Sequence, residues 1–148
     1  MIDRFERFSF TISEINRYWH KLAGEEMTRY GLKGPQAVYF TTLYRYPEGI
    51  PAAKLAELCG RDKADVSRAV TQLEARGLVE KNTVNQRNYR APIVLTQAGF
   101  QLAEAINEKA KTAVENGGRG LTDGERAVFY KALELICSNL RQLSEEGL

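Results

Sequence analysis

Apolar residues near the start of the chain fall at Phe5, Phe8, Ile12, Ile15, Trp19 and Leu22, with gaps that alternate between three and four. This spacing gathers them on one narrow stripe of an α-helix, the a/d seam of a heptad pattern, rather than on the broader face of a helix sunk in a globular core. The stripe is too short for a free-standing coiled coil. Gly31 and Gly34 interrupt it, and Pro35 suits the first turn of a second helix. The apolar face of that helix comprises Val38 and Leu43 with Tyr39 or Tyr46, and Pro47 and Gly49 end it. A second narrow stripe closes the chain. Phe129, Leu133, Ile136, Leu140 and Leu143 repeat at gaps of four and three, in a helix opened by the capping-box pair Thr122 and Glu125.

The middle of the chain has a different rhythm. Pro51 opens a short helix that buries Leu55 and Leu58, and Gly60 closes it as a left-handed cap. Asp62 caps the next helix, with Asp65 in the position of a capping-box partner. The inner face of that helix is Val66, Ala69, Val70 and Leu73, and Gly77 ends it. Leu78 to Val84 reads as a strand, Asn85 to Asn88 as a turn and Tyr89 to Leu95 as the return strand. Pro92 has no N–H to give to a ladder, which predicts that the return strand is a sheet edge. Thr96 then caps a long helix with Ala98, Leu102, Ile106 and Ala110 on one face, and the glycines around Arg119 break it.

Two short helices joined by a tight turn and followed by a β-hairpin make a winged helix-turn-helix, a unit that lays one helix in the DNA major groove. The expected fold class is mainly α with a small β-hairpin wing. A winged helix-turn-helix over residues 35–96 is flanked by dimerisation helices over 1–30 and 97–148, within one domain spanning 1–148. The simplest way to bury two narrow apolar stripes is to pack them together and against a second copy of the chain.

Composition narrows the class. With 148 residues, 43% hydrophobic and 27% charged, the chain matches a globular domain with a real core. A net charge of +2 says little, but its distribution says more. From Arg61 to Arg90 there are seven basic residues against four acids, and from Leu121 to Leu148 three against five. Local positive charge is the footprint of a nucleic-acid surface. Cys59 and Cys137 suggest no disulfide framework, no apolar run approaches the ~20 residues of a membrane span, and the charged N-terminus does not fit a signal peptide. A cytoplasmic protein with no membrane partner is expected. The single histidine, His20, lacks companions for a metal site, so it is assigned a structural or solvent-facing role. Cys59 and Cys137 are expected to be small buried hydrophobes rather than redox sensors. No phosphate-binding glycine loop, catalytic carboxylate pair or nucleophile–base set stands out, so neither enzymatic activity nor a cofactor is expected.

The residues off the inner face of the helix after Asp62 carry the candidate chemistry. They are Lys63, Ala64, Asp65, Ser67, Arg68, Thr71 and Gln72. Arginine pairs with guanine, glutamine with adenine, and small residues meet thymine methyls. Arg68 is the candidate base reader, and Ser67, Thr71 and Gln72 contact bases or phosphates. Lys63, at the helix start, holds phosphate with help from the helix dipole. The loop from Asn82 to Arg90 has two arginines, three asparagines and a glutamine with no acid, which fits a minor groove. The alternative is a winged-helix adaptor that binds protein and has only non-specific DNA affinity.

These motifs resemble the MarR family of regulators, over most of the chain from about Gly31 to Leu143. The resemblance lies in Leu55-Ala56, Asp62-Lys63, Val66-Ser67-Arg68, the run Leu73-Glu74-Ala75-Arg76-Gly77-Leu78-Val79, Leu95-Thr96-Gln97-Ala98-Gly99 and Leu121-Thr122 with Glu125. It implies a sequence-specific transcriptional regulator acting on double-stranded DNA at a pseudo-palindromic operator. It further implies a homodimer of triangular outline held by its first and last helices, probing each half-site with one winged helix. Many relatives release DNA on binding a small aromatic effector, which makes a repressor the expected type. The family wing usually carries Asp-x-Arg, where this chain has Asn85-Gln86-Arg87 in a hairpin about two residues longer. Arg87 matches the family arginine best, and Arg90 is the other candidate. Tyr18, Tyr30, Tyr39, Tyr44 and Tyr46 with Trp19 could line an effector pocket or serve plain core and dimer packing.

Overall fold

The computed structural model describes residues 3–82 and 91–148. The chain divides into two compact units, Met1–Glu108 and Lys109–Leu148. In the first unit the order is α1 (Arg4–Thr28), a 3-10 turn (Gly34–Gln36), α2 (Ala37–Tyr44), α3 (Ala52–Cys59), α4 (Lys63–Ala75), β1 (Val79–Lys81) and β2 (Ile93–Leu95), followed by the start of α5 (Gln97–Gly117). The second unit holds the end of α5 and α6 (Asp123–Glu146).

The core of the first unit is built from the middle of the chain. Phe40, Leu43, Leu55, Val66, Val70, Leu73, Ile93 and Ala103 are all buried in one cluster. All four residues assigned to the inner face of α4 are buried. On α2 the burial centres on Tyr39, Phe40, Thr42 and Leu43, with Val38 only half-buried. Phe40 and Thr42 join the buried face because the helix is short and crowded from two sides, by α3 and by β2. On α3 Leu55 and Ala56 are buried and Leu58 is half-buried, and Gly60 caps it at φ 64°.

β1 and β2 pair antiparallel with Val79 opposite Leu95 and Lys81 opposite Ile93. β2 is an edge of this two-stranded sheet, as Pro92 suggested, and one residue outside the strands reaches it. Its other side is bridged to Ile50, whose N–H donates to Ile93 O at 3.2 Å and whose O accepts from Ile93 N–H at 2.8 Å. Pro92 stands just before β2, so its missing N–H costs the ladder nothing, and its carbonyl accepts from Asn82 N–H at 2.9 Å. The predicted turn Asn85–Asn88 lies outside the described residues.

Thr96 caps α5, its Oγ1 accepting from Gly99 N–H at 3.1 Å and donating to Gly77 O at 2.6 Å. The buried face of α5 is Gly99, Ala103 and Ile106; Ile106 is buried as expected and Leu102 is half-buried, whereas Ala98 is exposed and Gly99 takes its place. The cause is the close approach of α5 to Leu78. A Cβ on Gly99 would lie 1.9 Å from Leu78 O, so only glycine allows this contact. In the second unit, Thr122 Oγ1 accepts from Glu125 N–H at 3.1 Å and Glu125 Oε1 accepts from Thr122 N–H at 3.0 Å, closing the predicted capping box. Those bonds hold the exposed Glu125 carboxylate below its usual pKa. Arg126 donates to Gly118 O at 3.0 Å and Glu115 O at 3.3 Å, satisfying carbonyls at the end of α5.

The two narrow stripes remain uncovered in a single chain. Phe5, Phe8, Ile12, Ile15, Trp19 and Leu22 are between 42% and 72% exposed, and α6 buries none of its residues. Cys137, expected to be buried, is exposed for this reason.

Gly99→Ala should destabilise the protein by about 1–3 kcal/mol in urea denaturation, because the new methyl forces α5 off Leu78. Gly24→Ala, where a Cβ meets nothing within 4 Å, should instead stabilise it by up to about 1 kcal/mol through helix propensity.

Candidate nucleic-acid interface

α4 is fixed at its start by Asp62, whose Oδ1 accepts from Asp65 N–H at 2.8 Å. The expected capping box is only half formed. The Asp65 carboxylate turns along the helix to pair with Arg68 instead of back to the cap. Its negative charge still lies in the first turn, where the helix dipole favours it. With Val66, Ala69, Val70 and Leu73 buried against α3 and β1, the rotation of α4 about its axis is set.

That rotation leaves Lys63, Ala64, Ser67, Arg68, Thr71 and Gln72 exposed on the opposite side. They fall into two groups. Lys63, Ser67 and Thr71 make no hydrogen bond or ion pair with any described residue, and Ala64 adds only a methyl. Arg68 and Gln72 are engaged: Arg68 with Asp65, and Gln72 through its Oε1, which accepts from Gln36 Nε2 at 3.1 Å. The three wing candidates, Asn85, Arg87 and Arg90, lie outside the described residues. The base of the hairpin, Val79–Lys81 paired with Ile93–Leu95, directly follows α4.

Charge on this face is not all available. Arg76 donates to Tyr30 O at 2.7 Å and Gly31 O at 2.8 Å, tying the end of α4 to the carbonyls that close α1. Its positive charge thus complements a helix C-terminus. The sequence count treats Arg76 as part of a basic surface, whereas the fold uses it as a brace. The contacts of Gln36 with Gln72 and of Arg76 with Tyr30 and Gly31 are what sequence reasoning missed. The signal for Gln36 was faint: a polar residue one position before an apolar helix.

The tyrosines are dispersed. Tyr39 is in the core, where burial raises its pKa. Tyr44 stacks on Phe100 with ring centroids 4.9 Å apart, and Tyr30 donates to Glu26 Oε1 at 2.6 Å. Tyr18 and Trp19 lie exposed on α1, and Tyr46 is half-buried under Arg45. Cys59 is half-buried, its thiol directed at Thr42 Oγ1 at 3.5 Å, and burial pushes its pKa up. A raised pKa means less thiolate and a slower nucleophile. Among the described residues no cluster of His, Cys, Asp and Glu could hold a metal ion. No described helix is long and apolar enough to cross a membrane.

A MarR family model matches residues 30–87. The chain is 24% identical over 131 residues to an uncharacterized HTH-type transcriptional regulator, YybA, of Bacillus subtilis (strain 168), covering 88% of this chain and 87% of the relative. A MarR transcriptional regulator from Methanosarcina mazei Go1 is similar in structure with a TM-score of 0.82 at 26% identity, over 97% of this chain and 94% of that one. The fold is also that of the S. aureus MepR–DNA complex, with a TM-score of 0.79 at 21% identity over 90% of this chain and 97% of that one.

In a Cys137→Ser background, Cys59 should react with iodoacetamide at pH 8 more slowly than a free cysteine does. A rate equal to or above that of the free amino acid would contradict the buried, protonated thiol.

Proposed function

We propose that this chain, whose residues 30–87 match a MarR family model, is a DNA-binding transcription regulator of that family, that α4 is its recognition helix, that it works as a homodimer, and that it represses. The observation that carries the proposal is the split of α4 into a wholly buried stripe and a wholly exposed set of polar and small side chains. A solvated helix needs no such mixture, whereas a groove-reading helix does.

In this reading Lys63 holds a phosphate at the positive end of α4. Arg68 leaves Asp65 for the O6 and N7 of a guanine. The exchange costs little, because an exposed ion pair is worth about 1 kcal/mol or less. Ser67 and Thr71 reach bases or phosphates, Ala64 meets a thymine methyl, and Gln72 donates to a base. Asn85 with Arg87 or Arg90 enters the flanking minor groove. The exposed stripes on α1 and α6 support dimerisation, since a second copy would cover apolar surface that one chain leaves in water. The DNA target would then be a pseudo-palindrome with half-sites about one helical turn apart, and a small aromatic effector would release it. The compartment that fits such a regulator is the cytoplasm.

Fluorescence anisotropy with DNA from upstream of the protein's own gene, against a scrambled duplex at two salt concentrations, tests the first part. Binding should prefer the native fragment and weaken steeply with salt. Arg68→Ala should cost about 1–3 kcal/mol on the preferred site and relax base preference, whereas Lys63→Ala should weaken both duplexes alike. Equal binding to both duplexes, unaltered by Arg68→Ala, would favour a protein-binding adaptor. Sedimentation at micromolar concentration should give a dimer, and Ile15→Asp should shift it toward monomer.

A further inference from the structure

Among the described residues, Gln72 is the one exposed residue of α4 whose polar atoms are oriented by a buried side chain. Its neighbour Gln36 is only 8% exposed, although it is polar and lies at the end of the 3-10 turn. Gln36 Oε1 accepts from the backbone N–H of Lys33 at 3.0 Å, and Gln36 Nε2 donates to Gln72 Oε1 at 3.1 Å. The two ends of a glutamine amide have nearly the same shape, so only hydrogen-bond partners decide which way it faces. A backbone N–H can only donate. It therefore requires the oxygen of Gln36, which turns the Gln36 NH2 toward α4. That NH2 in turn requires the oxygen of Gln72, which leaves the Gln72 NH2 as the end that faces away from the protein.

We infer that Gln36 is a positioning residue that sets the base preference of Gln72 through this two-amide relay. Gln72 presents donors and not a free donor–acceptor pair. The adenine contact assigned to glutamine from sequence, which uses both ends of the amide, gives way to a contact with a base that shows acceptors. In the major groove guanine shows N7 and O6 and thymine shows O4, whereas cytosine shows only an amino group and adenine shows N7 beside an amino group that would meet the Gln72 NH2 donor to donor. Gln72 therefore favours a keto base, guanine or thymine, at its position in each half-site, rejecting cytosine most strongly and leaving adenine only its N7 as a partner. Arg68 lies one turn earlier on the same stripe, so the two residues read neighbouring positions.

The inference rests on α4 being the DNA-reading helix, and the test separates the two. The full-length protein is used to select from a library of duplexes randomised across the half-site, and the bound fraction is sequenced. Wild type should show one position with guanine or thymine enriched about three- to tenfold, the worth of one net hydrogen bond. That position is identified as the one lost in Gln72→Ala. Gln36→Glu places a second carboxylate oxygen where the Gln36 NH2 was. Gln72 must then turn its NH2 inward and its oxygen outward, and the preference at that position should invert to adenine or cytosine. Gln36→Met removes the relay with little change of volume and should flatten the preference at that position while leaving the others intact. Circular dichroism reports folding, and if the buried carboxylate unfolds Gln36→Glu, the Gln36→Met profile decides alone. A merely structural Gln36 would lower affinity for all sequences without moving the preference at one position, and that result overturns the inference. An unchanged profile in the folded variants, or amino-base enrichment at the Gln72 position in wild type, overturns it too. A wild-type protein that selects no sequence at all overturns the DNA-reading role of α4 itself.

Discussion

Burial of Val66, Ala69, Val70 and Leu73 is the constraint on which the rest of the molecule depends. These four residues lock α4 against α3 and β1. A helix with one stripe fixed in a core has no freedom to rotate, so its opposite side is determined as well. Each fully buried aliphatic side chain contributes on the order of 1.5–3 kcal/mol. That is large compared with the exposed Asp65–Arg68 pair, so the apolar face sets the geometry and the polar face adapts to it.

Three polar devices refine what the core establishes. Asp62 satisfies one of the free N–H groups in the first turn of α4, that of Asp65. Gln36 restrains Gln72 in the second half of the helix, and Arg76 braces its end against Tyr30 and Gly31. The contacts to Gln36, Tyr30 and Gly31 lead back toward the end of α1. The close contact of Gly99 with Leu78 does a similar service on the other side, holding α5 against the residue that leads into β1.

The narrow stripes on α1 and α6 follow a different logic. Heptad-like spacing concentrates apolar residues on a strip too thin for a globular core and well suited to a helix–helix seam. The single chain leaves both strips in solvent, and Cys137 with them. In the proposed homodimer, covering the strips and spacing the two copies of α4 would be one structural event.

Helix identities, caps and the buried stripe of α4 were legible in the sequence because they depend on local spacing and on residues a few positions apart. Thr122 with Glu125, Asp62 before α4, Gly60 in the left-handed region and Thr96 before Gly99 are all of this kind. The exposed set on α4 was legible for the same reason, as the complement of a clear apolar period. What tertiary structure alone decided involves partners distant in sequence. Ile50 bridging β2, Gly99 of α5 set against Leu78 O, Gln36 paired with Gln72 and Arg76 spent on Tyr30 and Gly31 all join residues about twenty to forty-six positions apart. Periodicity carries no information about such pairs, because a side chain's type says what bonds it can make, and only the packed fold says which group is within reach.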